Sequence, residues 1–304
     1  TLLRVAALSL PPDVWQRDFS CAYELLTLYA ACAYLVSEIE VAERTCAGLL
    51  ERARTAFDRS EIYLMQLIHL TYCNRMPAAI AAGLCGLQAL GMRIPAQPSK
   101  LNILRALLRT KRALGGRTVE SLERSPPIAD EHAQRCLRIL IEFIPPAYLM
   151  GDDAFFAAVV LEQANLSLKH GNCAESASAF ASYAVLLAGL GQLEEAHAFG
   201  QLALRLGEQF AANDTRCRNL VLYALFAHSW AHPWAELRGY FERAVQLGQE
   251  SGDLLFTTYA CGWVCLWAPQ LDVSTALDEG RRYLAIIDKT QYRNARDAAV
   301  LHLQ

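Results

Sequence analysis

The stretch Ala174–Gln209, AESASAFASYAVLLAGLGQLEEAHAFGQLALRLGEQ, decides the fold. Its apolar residues recur at three- and four-residue steps on both sides of Leu190-Gly191-Gln192, so it reads as two helices joined by one tight turn. Ala196 comes five positions after Gly191, where the two helices of a hairpin approach most closely. A bulky side chain there would push them apart.

The same small motif recurs along the chain. Ser37 to Ala42 (SEIEVA), Asn74 to Ala79 (NRMPAA) and Leu271 to Ala276 (LDVSTA) each run from a turn to an alanine five steps later. The four alanines are 37, 117 and 80 positions apart, or 37, three times 39, and two times 40. The intermediate beats fall near Val119, Ala157 and Ala235. A period of about 39, with one helix pair per beat, predicts an all-α chain. Its architecture would be an α-α superhelix, a tetratricopeptide-like solenoid of about seven degenerate helix pairs. The expected helices are 18–36, 38–57, 60–73, 76–91, 99–115, 130–150, 152–170, 174–190, 192–212, 215–231, 233–251, 253–268, 273–288 and 292–304. Most of the prolines stand between them, where a helix starts or stops. Two stretches interrupt the beat: the linker 92–98, and 115–130, where the second helix of the third repeat is cut to about two turns. Ile144-Pro145-Pro146 predicts a kink or an early stop. One elongated array over 1–304 is expected, with 1–125 and 130–304 as its sub-halves. Helices such as 174–190 carry small polar residues suited to a concave inner wall, and Glu194–Gln209 suits an outer layer.

Composition narrows the function classes. The 304 residues are 54% hydrophobic and 19% charged, with a mean hydropathy of +0.16, which demands a large buried core. Lys+Arg 28 against Asp+Glu 31 leaves a net charge of −3, without the basic excess that nucleic-acid binding needs. The ten cysteines are scattered through apolar helical text without CxxC pairs, which suits free thiols in a cytoplasmic protein. No run of about 18 apolar residues predicts a membrane span. The opening Thr1-Leu-Leu-Arg reads as a piece of a longer protein, and the apolar ends Leu2-Leu3 and Leu301-His302-Leu303 suit self-association through unpaired solenoid ends.

No GxxxxGK[ST], GxGxxG, HExxH, GxSxG or HRDxxxxN run is present, so no catalytic residue and no cofactor site is predicted. Four constellations remain. His228 and His232, four apart near Trp230 and Trp234, have metal-ligand spacing, but Pro233 starts the next helix and no third ligand is near in sequence. They read as turn packing, and no metal is predicted. Cys261 and Cys265 have the same spacing in a helix that is apolar all round, so they read as core. Asn165, Ser167, His170, Gly171 and Asn172, followed by Glu175, Ser176, Ser178, Ser182 and Tyr183, form the densest polar run. They are either helix-end caps or the lining of a peptide groove. Arginine outnumbers lysine 24 to 4, with a cluster at Arg105, Arg109, Lys111, Arg112 and Arg117 that reads as a solvated helix face rather than a phosphate or acidic-peptide patch.

Six motifs carry a family resemblance: Leu10-Pro11-Pro12-Asp13-Val14-Trp15, Gly91-Met92-Arg93-Ile94-Pro95, Gly116-Arg117-Thr118-Val119-Glu120, Ile144-Pro145-Pro146-Ala147-Tyr148, Asn165-Leu166-Ser167-Leu168-Lys169-His170-Gly171-Asn172 and Gly200-Gln201-Leu202-Ala203-Leu204. In this order they resemble the helical-repeat region of large bacterial hybrid signalling proteins. There a serine/threonine kinase and an ATPase module precede the repeats, and a GAF sensor and a histidine kinase or another output domain follow. The resemblance implies a non-catalytic protein-interaction and regulatory scaffold whose partners are a protein, a peptide or neighbouring domains of the parent chain. The candidate interaction residues are Asn165, Ser167, His170, Asn172, Tyr183, Tyr223, His228, Trp230 and Tyr259. The alternative is an effector-sensing solenoid that closes around a small ligand with Asn165, Tyr183, Tyr223, Trp230 and Tyr259.

Overall fold

The computed structural model describes residues 2–11, 13–266, 273–290, 296–297 and 300–301. Most of the expected helix 292–304, Trp267, and the start of the Leu271–Ala276 motif lie outside these. The described chain is all-α, with no strand and one isolated bridge between Pro127 and Asn172. No described helix is long and apolar enough to cross a membrane. The helices fall into two compact units, Thr1–Gln97 with Glu142–Phe156, and Pro98–Ile141 with Ala157–Gln304.

In the first unit, short helices α1 (Leu2–Leu8) and α2 (Val14–Arg17) precede two hairpins. The first joins α3 (Phe19–Leu35) to α4 (Ile39–Arg52), and the second joins α5 (Ala56–Tyr72) to α6 (Met76–Ala89). Asp18 caps α3 by accepting from the Cys21 amide at 3.1 Å. A reciprocal cap between Thr55 and Asp58 starts α5 four residues before the expected position. Thr55-x-x-Asp58 is the signal for it, hidden in sequence by the apolar text of the helix before.

The second unit contains α7 (Lys100–Leu114), α8 (Val119–Glu123) and α9 (Glu131–Glu142). The chain then breaks at Phe143 and restarts as α10 (Ile144–Leu149), which belongs to the first unit. This is the stop expected at the proline pair, since neither proline can donate a helical hydrogen bond. Helix α11 (Asp153–His170) leads back into the second unit, followed by the hairpin of α12 (Ala174–Gly189) and α13 (Leu193–Gln209). After it come α14 (Arg216–Tyr223), a π-helical turn (Ala224–His228), α15 (Ser229–Ala231), α16 (Leu237–Ser251), α17 (Leu254–Leu266) and α18 (Val273–Thr290). The third repeat's second helix is α8, five residues long rather than two full turns.

The recurrent motif has one local structure. Ser37, Asn74 and Gly191 sit at φ of +62°, +58° and +76°, each one residue past its helix C-cap. The amide after each bonds five residues back, Glu38 to the Ala33 carbonyl, Arg75 to Leu70 and Gln192 to Leu187, all at 2.8–2.9 Å. This is the Schellman closure of a helix end. The next helix begins one residue later, and the motif alanine is its fourth residue each time. Ala42, Ala79 and Ala196 have no exposed surface, and Ala276, fourth in α18, is half-buried.

One expectation about surface is reversed. The small polar residues of α12 do not line an open wall, because Ser176 to Val185 are buried without interruption. Their hydroxyls are used internally: Ser178 donates to Asn219 Oδ1 at 2.8 Å and Ser182 to the Ser178 carbonyl at 2.9 Å. A buried helix tolerates serine only when its hydroxyl is paired in this way.

Candidate functional site

The polar run from Asn165 to Asn172 forms a brace within the second unit. Asn165 accepts from Thr110 Oγ1 at 3.0 Å and donates to the Ala106 carbonyl at 3.3 Å, tying α11 to α7. Ser167 donates to Ser176 Oγ at 3.0 Å, and His170 Nδ1 lies 3.3 Å from the Asp130 carboxylate. Asn172 exchanges backbone hydrogen bonds with Pro126 and Ile128, both at 2.9 Å, and its side chain donates to the Leu122 carbonyl at 2.8 Å. Gly171, at φ +106°, passes so close that a Cβ would overlap the Pro126 carbonyl oxygen. These groups hold down the end of α8 and the segment after it. Arg205 on α13 secures the other side through Glu123 at 2.7 Å.

Other expected residues are dispersed. Tyr183 is buried with its ring edge-on to Phe199 at 4.9 Å, and Tyr259 meets Phe256 edge-on at 5.7 Å. Trp230 stands in solvent at 65% exposure and Trp234 at 61%. Cys261 and Cys265 are buried, which pushes their thiols up to about 12 and about 11. In the basic cluster, Arg109 pairs with Glu162 and Arg117 donates to Ser125 at 2.6 Å.

Tyr223 and His228 are brought together, in a cluster that sequence spacing does not show. The π-helical turn is the cause. An α-helix places residues five apart on different faces, whereas the wider π turn, closed by the Ser229 amide on the Ala224 carbonyl, brings the Tyr223 hydroxyl to 3.3 Å from His228 Nδ1. On its other side His228 Nε2 lies 3.0 Å from Glu236 Oε2. A carboxylate only accepts, so Nε2 carries the ring proton and Nδ1 accepts from Tyr223. The His228 and His232 rings stack at 4.2 Å with 6° between planes, and Tyr240 covers His228 at 4.6 Å.

Helix α13 adds a third imidazole. His197 lies 5.1 Å from the His232 ring and 6.1 Å from that of His228. Its Nε2 meets the Gln201 amide nitrogen at 3.0 Å, while Nδ1 is buried with no hydrogen-bond partner among the described residues. Burial, then the two neighbouring imidazoles, hold His197 below the ordinary histidine range. Burial does the same for His228 against the opposing pull of Glu236. Burial also lifts the Tyr223 hydroxyl to about 12, so it remains a protonated donor at neutral pH. His197, Gln201, Glu236 and Tyr240 escaped the sequence reading because no local spacing links them to His228. The one available signal is the repeat, since His197 and His232 are 35 positions apart, close to one period.

No model of a known protein family matches the chain, and a comparison with curated proteins gives no match.

Proposed function

We propose that this chain is a tetratricopeptide-like α-solenoid of about seven degenerate helix pairs, acting as a non-catalytic protein-interaction and regulatory scaffold in a multidomain, cytoplasmic bacterial signal-transduction kinase. The observation that carries the reading is the repetition of one turn. Three hairpins close with the same backbone, the same five-back hydrogen bond and an alanine at the same helical position. Helix pairs joined identically stack by similar rotations, which is how a repeat array builds an extended binding surface. The six sequence motifs support the signalling context.

The mechanism is geometric. A stacked array holds the domains at its two ends at a set separation, and a partner seated on it biases the bending that couples them. The exposed tryptophans Trp230 and Trp234, on one turn beside α16, are the side chains best suited to anchor such a partner, since tryptophan dominates interface energetics. The test replaces residues 1–304 in the parent kinase with an unrelated helical-repeat array of equal length. Loss of regulated phosphorylation with basal activity retained is the expected result. Unchanged regulation would remove the proposal.

A further inference from the structure

One ring nitrogen from each of His197, His228 and His232 lies within 4.8 Å of the other two, and a carboxylate oxygen of Glu236 stands 3.0 Å from His228 Nε2 and 3.9 Å from His232 Nδ1. We propose that His197, His228 and His232, with Glu236, bind a divalent transition-metal ion.

Three features carry this. The donor set of three imidazoles and one carboxylate is the chemistry that Zn²⁺, Co²⁺ and Ni²⁺ select. His197 Nδ1 is buried with no hydrogen-bond partner among the described residues, and a cation takes a ring nitrogen left unused in this way. Buried His228 and half-buried His197 each have a second group to orient them: Tyr223 on His228 Nδ1 and Gln201 on His197 Nε2. Such outer partners fix ring orientation in metal sites.

Binding needs the nitrogens to close from within 4.8 Å and the His232 ring to turn out of its parallel stack on His228, because each lone pair lies in its ring plane. With metal–nitrogen bonds of about 2.0–2.1 Å, a tetrahedral site has nitrogens about 3.4 Å apart. His232 supplies the movement, because it is exposed and lies in extended backbone directly before Pro233, outside the helix. Protons balance without net release. When His228 Nε2 takes the metal, its proton shifts to Nδ1, which then donates to the Tyr223 oxygen. His197 exchanges tautomers in the same way, Nε2–H donating to the Gln201 amide oxygen after that amide turns over.

Because exposed Cys21 and Cys85 can also capture metal, the probe is Co²⁺, whose spectrum separates thiolate from imidazole ligation. The full chain, stripped with chelator, is titrated with CoCl₂ while calorimetry, visible absorbance and tryptophan fluorescence are followed. One equivalent is expected to bind, with d–d bands lacking thiolate charge transfer and quenching of Trp230 and Trp234, which flank His232. His232→Ala, at an exposed turn, keeps the fold by circular dichroism and weakens binding at least tenfold, as does His197→Ala. Wild-type affinity in His232→Ala, no binding above the His197→Ala/His232→Ala background, or a strong thiolate band would each overturn the proposal.

Discussion

The ring of Tyr223 occupies the space where a side chain at position 200 would be: a Cβ on Gly200 would stand 2.5 Å from Tyr223 Cδ2. Gly200 is the eighth residue of α13, one turn after the buried Ala196. The same pair recurs in α6, where Ala79 is followed by Gly83, whose Cβ would come within 2.5 Å of Phe143 Cζ. Cys46 and Gly280 take the corresponding positions in α4 and α18, and both are buried. A seam of two small residues one turn apart thus admits the next aromatic or helix.

Gly200→Ala should therefore destabilise the chain by about 1–3 kcal/mol through overpacking, despite alanine's better helix propensity. The cost should be less than additive with Tyr223→Leu, because the two positions touch. Gly239, exposed in α16 with open space around it, gives the opposite sign. Gly239→Ala is expected to stabilise by about 0.5–1 kcal/mol. Denaturant melts of the two variants decide the matter.

Ser37 holds φ +62°, a backbone that glycine adopts without steric cost and serine does not. Ser37→Gly should stabilise by roughly 0.5–1 kcal/mol, whereas Gly191→Ala, at φ +76° in the equivalent turn, should destabilise by a similar amount. Equal and opposite shifts in melting temperature are the expected outcome, and shifts of one sign would mean that the turns are not equivalent.

Asn172 is almost fully buried, and its amide is a donor to the Leu122 carbonyl. Asn172→Ala removes that donor, while the Ser125 amide still bonds the same carbonyl at 3.0 Å, and should cost about 0.5–1.5 kcal/mol. Asn172→Asp should cost more, because a carboxylate facing a carbonyl repels it. Hydrogen exchange should show faster opening around 119–128 in both variants before any global change.

His69 stacks on Tyr34 at 5.5 Å with 7° between planes, its Nδ1 buried and without a hydrogen-bond partner among the described residues. Burial lowers its pKa from 6.5 to about 4. Between those values the unfolded chain binds a proton that the folded chain refuses, so stability falls as pH drops from 6.5 towards 4, by on the order of 2–3 kcal/mol. His69→Phe keeps the stack and removes the titration. Its stability should change less between pH 7 and pH 4.5 than that of the parent chain, and parallel pH profiles would refute this.

The helices and hairpins were legible in sequence because their determinants are local. A 3.6-residue apolar period, a proline, and a turn followed five residues later by alanine each act within a few positions, and the backbone bonds that close Ser37, Asn74 and Gly191 span only five residues. Where local signals competed, as at Thr55, the boundary moved by a turn. The π turn at Ala224–His228 carries no such proline, glycine or turn motif in its five residues, Ala-Leu-Phe-Ala-His.

The candidate site belongs to tertiary structure. Asn165 and Asn172 have the same composition whether they line a groove or brace a loop, and only the positions of Ala106, Thr110 and Leu122, about fifty residues away, direct their amides inward. His228 and His232 were visible as a pair, but the third imidazole arrives from α13 through packing in which Tyr223 lies against Gly200. Sequence by itself determined where the backbone turns, because hydrogen bonds between near neighbours decide that. Which distant polar groups meet was decided by the fold, because contact across helices depends on packing register, and a single missing Cβ sets that register as firmly as any motif.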